Sequence, residues 1–131
     1  MKTKVKTESK FIVKPENKVV VCNMKVNMQL FNFDICINPR WWETKAPMVN
    51  SFGEFTVTAK ARCNAEDTFD EATGKKIAES RAKAKAFKTA KNVWECIFKG
   101  FMENANIAGT MAKNCEGVMD VEVKHVEKLS E

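Results

Sequence analysis

Tyrosine is absent from this chain, histidine occurs once, and proline occurs only three times. No apolar run approaches the roughly 18 residues that a bilayer-spanning helix needs. Met1 to Lys10 carries four lysines, but no apolar stretch long enough for a signal peptide follows. A cytoplasmic protein with no membrane contact is expected. The five cysteines, Cys22, Cys36, Cys63, Cys96 and Cys115, are an odd number and contain no C-x-x-C pair. That pattern points to free thiols in a reducing compartment rather than to a disulfide framework. His125 stands ten residues past the nearest cysteine, which is unlike the clustered spacing of a zinc site. Phosphate-loop, dinucleotide, zinc-protease and nucleophile-elbow motifs are all missing. A Cys–His dyad built on His125 has no local signature either. The expectation is a non-enzymatic protein with no metal and no cofactor.

What is present is enough for one domain. The 131 residues, 44% hydrophobic and 30% charged, can bury a real core without disulfides or metals. Residues 1–131 are read as a single domain. The net charge of +5 hides strong segregation. Residues 1–53 carry net +5, 54–73 net −3, 74–101 net +6 and 102–131 net −3.

The first third reads as β-structure. Phe11-Ile12-Val13 runs into the turn signal Pro15-Glu16-Asn17. Lys18 to Met28 and Leu30 to Ile37 both alternate, the second with Phe31, Phe33, Ile35 and Ile37 on one face. Asn38 to Gly53 reads as a loop, and strand character returns from Glu54 to Cys63. Asp70 or Thr73 is placed to cap a helix of about 72–102, rich in alanine and free of proline. On a helical wheel Ala86, Phe87, Ala90, Val93, Trp94 and Ile97 share one face, with Phe98 and Phe101. Arg81, Lys85, Lys88 and Lys99 form a stripe on the far side. Gly109 and Gly117 bracket a short helical segment, and Val118 to Val126 reads as a final strand. The expected fold is α+β: a four- to five-stranded, mainly antiparallel sheet packed on one long helix.

Three constellations carry chemistry. The basic helix face, Lys75, Lys76, Arg81, Lys85 and Lys88, has the charge to hold phosphates, although lysine also populates any solvated helix face. The loop Arg40-Trp41-Trp42 offers stacking on bases or an anchor for a protein partner; equally, one tryptophan can fold inward as a cap on the core. The acids Glu66, Asp67 and Asp70 suit a divalent cation, or simply the start of the helix.

The stretch from Ala61-Arg62-Cys63 through Glu66-Asp67-Thr68-Phe69-Asp70 to Gly74-Lys75-Lys76-Ile77-Ala78-Glu79-Ser80-Arg81-Ala82-Lys83 resembles a loose group of small phage and prophage proteins, mostly of Gram-positive bacteria. It shares their A-x-C strand end, acidic E-D-x-F-D turn and G-K-K-x-A-E-S-R-A-K helix start. That resemblance implies a bacterial-host cytoplasm and no defined activity. Lys75-Lys76-Ile77-Ala78 is also similar to the last helix start of the double-stranded RNA-binding fold, although Glu79 stands where that family has a basic residue. The function expected is a phage-type binding protein that contacts nucleic acid through Lys75, Lys76, Arg81, Lys85 and Lys88, with Arg40, Trp41 and Trp42 adding stacking. The alternative is an anti-defence protein, of the anti-CRISPR kind, that inhibits a host protein through the tryptophan loop. Self-association into a homo-oligomer is a further role, and a metal-dependent hydrolase using Glu66, Asp67 and Asp70 the remotest.

Overall fold

The computed structural model describes residues 4–64 and 66–130; Met1–Thr3, Ala65 of the acidic turn and Glu131 lie outside them. Three strands come first, β1 (Lys6–Lys14), β2 (Val19–Asn27) and β3 (Glu54–Arg62), and one helix follows, α1 (Glu71–Leu129). The strands form one antiparallel sheet in the order β1–β2–β3. The α+β class is present, one long helix on an antiparallel sheet, but with three strands rather than four or five. By contact the chain divides into two compact units, Met1–Ile97 and Phe98–Glu131.

The first unit is built on β2. Its even-numbered side chains Val20, Cys22, Met24 and Val26 are 0–2% exposed, as the two-residue period of a strand requires when one face is covered. The covering surface is α1, whose Ala78, Ala82, Ala86 and Ala90 recur every fourth residue and are buried. Side chains this small let the helix backbone come close to the sheet. Proline opens the β1–β2 turn at Pro15 with its preset φ. Lys18 completes the turn in the left-handed region (φ 51°), and its N–H donates to the Pro15 carbonyl at 3.1 Å.

The helix begins where expected. Asp70 receives the Thr73 hydroxyl at 2.8 Å on one carboxylate oxygen and the Thr73 N–H at 3.3 Å on the other. One of the unpaired N–H groups of the first turn is thereby satisfied. The Thr73 hydroxyl, then the Thr73 and Ala72 N–H groups and the charge of Lys76, hold the Asp70 carboxyl below its ordinary value of 3.8.

Two expectations fail. Leu30 to Ile37 is not a strand. Gln29 takes a left-handed conformation (φ 51°), and Leu30–Asn32 is a 3-10 turn. The alternation is there, but β2 is already paired on both sides with β1 and β3, and outer carbonyls of β3 are taken by Arg81 and Lys85, so the segment adds no fourth strand. The segment contributes side chains instead. Leu30 is buried, Phe33 meets Trp94 edge-on at 4.9 Å, and Phe31, 76% exposed, leans on Phe52 at 5.8 Å. Likewise, Val118 to Val126 is not a strand, and the helix does not stop near 102. It continues to Leu129, and every residue from Phe101 to Ser130 is exposed.

Two measurements check these packing statements. A Cβ at Gly74 would lie 2.8 Å from Cγ2 of Val20. Gly74→Ala is therefore expected to lower the melting temperature, although alanine is the better helix former by about 1 kcal/mol. A rise in melting temperature would contradict the close helix–sheet contact. Asp70→Ala is expected to lower the melting temperature at neutral pH. Because the folded-state pKa is depressed, that stabilisation is complete above the ordinary value and lost as pH falls below 3.8. The gap between wild type and variant should close in acid.

Candidate nucleic-acid interface

The odd-numbered residues of β2 face away from α1. With their neighbours in register they build the open face of the sheet. One row holds Lys14, Val19 and Arg62, and the next holds Ile12, Val21 and Lys60. Lys10, Asn23 and Thr58 form the third, where the Thr58 hydroxyl donates to Oδ1 of Asn23 at 2.9 Å. Adjacent strands lie about 4.8 Å apart, so Lys14 and Arg62 straddle Val19 roughly 10 Å from each other.

Val19 and Val21 are 5% and 8% exposed, although no helix covers them and they stand apart from the main core cluster. Exposed long side chains surround them. The aliphatic stems of lysine and arginine lie over apolar surface while their charged heads stay in water. Lys14, Asn17, Lys60 and Arg62 together with the two valines line a concavity of about 400 Å³. No carboxylate lines it, and among the described residues Lys10, Lys14, Lys60 and Arg62 form no ion pair. A floor of apolar surface ringed by cations without an acidic neighbour has the chemistry to attract an anion.

The helix adds to this surface from the side. Arg81 donates to the Lys60 carbonyl at 2.9 Å, and Lys85 donates to the Thr58 carbonyl at 2.7 Å. These are carbonyls on the outer edge of β3, which has no neighbouring strand. Two cations there occupy a row of acceptors that would otherwise invite another chain. They also place their charge next to Lys60.

The structure therefore regroups the residues expected to bind. Arg81 and Lys85 are not on the far side of the helix but at the β3 edge. Lys75 is half-buried, its ammonium 5.8 Å from the centre of the Phe11 ring on β1. Lys76 and Lys88 are exposed, and the five do not share one surface. In the tryptophan loop Trp42 is 1% exposed, and its indole N–H donates to the Val49 carbonyl at 3.3 Å. It belongs to the core with Leu30, Ala46 and Val49. Trp41 is half-buried against the same core, and Arg40 is exposed. Trp42 thus caps the core and is not placed to stack on a base. Among the described residues no group of three or more acids, cysteines or histidines converges on a metal position, and Asp70 is engaged in capping.

The residues missed in sequence are Lys14, Lys60 and Arg62. Their signal is a basic residue on the polar side of an alternating strand near one end, Lys14 in β1 and Lys60 with Arg62 in β3, which becomes a patch only once the register joins β1 to β3 through β2. No family model, curated protein or solved structure matches the chain. Among the described residues no helix is long and apolar enough to cross a membrane.

Replacing Trp42 with alanine removes a buried indole, and such a change costs about 3–5 kcal/mol. Trp42→Ala is expected to lower the thermal midpoint by many degrees, read by circular dichroism. An unshifted midpoint would return Trp42 to the list of surface residues.

Proposed function

We propose that this protein is a non-enzymatic, phage-type nucleic-acid-binding protein that grips the sugar–phosphate backbone on the open face of its sheet. The observation that supports this most is the acid-free cluster of Lys14, Lys60 and Arg62 around Val19 and Val21, extended at the β3 edge by Arg81 and Lys85. Cations spaced across a flat sheet neutralise several phosphates at once and release their counterions. Arg62 adds a planar fork suited to phosphate oxygens. The basic cluster occupies three of the five rows of the open face, the other two, Glu8–Lys25–Thr56 and Lys6–Asn27–Glu54, being of mixed sign; none of the five carries an aromatic side chain, so base stacking contributes little and sequence preference is weak. Ile12, 48% exposed, offers an apolar contact to sugars.

Binding of labelled single- and double-stranded DNA and RNA, followed by anisotropy across a salt series, tests the reading. Affinity should fall steeply with salt. Lys14→Gln, Lys60→Gln and Arg62→Gln should each reduce the salt slope by about 1, with little change in melting temperature because the charge is removed while most of the stem over Val19 and Val21 is kept. No binding at low salt, together with co-purification of a host protein, would overturn this function in favour of a host-protein inhibitor.

A further inference from the structure

The helix from Phe98 to Leu129 carries an apolar face that is left exposed among the described residues. Ile107, Met111, Val118, Met119, Val121 and Val126 are 54–64% exposed. Apart from Glu122, charged side chains keep to other positions. With residues 104, 108, 111, 115, 118 and 122 taken as a seam with alternating spacings of four and three, Glu103, Lys113, Glu116, Asp120, Lys124 and Glu127 all fall outside the seam and its flanks. Alternating spacings of four and three are the signature of a helix packed on another helix. The segment also needs such support. Gly109, Gly117 and the valines Val118, Val121, Val123 and Val126 are poor helix formers, and most helical stability in proteins comes from packing of an amphipathic face rather than from propensity.

We propose that the partner is a second copy of this chain, packed antiparallel about a two-fold axis near Lys113. This inference is independent of the sheet face. Polarity selects the pairing. The seam is apolar except at Asn104 and Glu122. In the antiparallel register these two meet, so the Asn104 amide donates to the Glu122 carboxylate of the other copy. A parallel pair would instead bring two Glu122 carboxylates together. The same register seats small residues against large ones. Ala108 lies opposite Val118, and Met111 opposite Cys115. On the flanks Ala105 lies opposite Met119, Ile107 opposite Val121, and Ala112 opposite its own copy. One surface patch serves both partners, as two-fold symmetry demands. The area is that of a small interface. At about 25 cal/mol per Å², a fully buried aliphatic side chain corresponds to roughly 60–120 Å². The six large side chains named above then supply at most roughly 400–700 Å² per copy, short of the about 800 Å² that a stable interface takes from each partner, and the alanines and Cys115 between them make up part of the difference.

Sedimentation equilibrium on the full chain is expected to give a dimer at micromolar concentration. Met111→Asp combined with Val118→Asp should abolish it while leaving the sheet unit's melting transition in place, since both residues are exposed. Orientation is read by disulfide trapping in a Cys36→Ser, Cys63→Ser background. The Met111→Cys variant should form a covalent dimer on oxidation, and the same background with Met111 intact should not. A chain that stays monomeric at every concentration overturns the proposal, even if the helix then binds vesicles or a different protein. So does a higher oligomer, or a Cys115–Cys115 disulfide formed with Met111 in place, which would require parallel helices.

Discussion

Ala78, Ala82, Ala86 and Ala90 set how far α1 stands from the sheet, and most of the first unit depends on that distance. Four buried methyl groups in line allow the close approach seen where a Gly74 Cβ would collide with Val20. Larger residues would lift the helix, and close packing would fail along the whole of β2. The same closeness decides what the flanking residues can reach. Arg81 and Lys85 touch the β3 carbonyls because the helix lies low enough for their side chains to span the gap. An edge left without a strand neighbour is thereby occupied by cations.

A single helix covers one face of a three-stranded sheet and leaves the other open. Val19 and Val21 would be exposed on that open face. They are buried by the stems of Lys14, Lys60 and their neighbours, whose charged ends must then stay at the surface. The basic patch and the burial of the two valines are one arrangement: the side chains that keep water off the valines also concentrate positive charge. The long excursion between β2 and β3 serves the covered side. It turns Leu30, Trp42, Ala46 and Val49 into the core, and its base is tied where the Met28 N–H donates to the Gly53 carbonyl at 3.0 Å.

Much of the first unit was legible in the residues. β3 announces itself by strict alternation and β2 by its β-branched residues, and of the two capping candidates Asp70 marks the start of the helix by a local hydrogen bond that needs no tertiary partner. Leu30 to Ile37 and Val118 to Val126 misled for a shared reason. Alternation and β-branched residues describe a backbone suited to a strand, but a strand also needs a neighbour with unpaired N–H and C=O groups. Neither segment pairs with one. The first became a turn-rich cap and the second continued a helix already nucleated upstream, where each further residue adds a hydrogen bond at little extra cost.

Composition and pattern by themselves determined the α+β class, the alanine face of the helix, its N-terminal cap and the alternation of basic and acidic segments along the chain. Those features rest on interactions within a few residues, or on a period that one element satisfies alone. Only the tertiary structure decided which cations stand together. Lys14 and Arg62 are 48 positions apart in sequence yet lie in one row through Val19, whereas Lys75 and Arg81, six positions apart, diverge to β1 and to the edge of β3. Trp42 was assigned to the core in the same way, by a cavity whose walls come from distant segments. Charge at a surface is set by strand register and helix placement, and neither is written in the local order of residues.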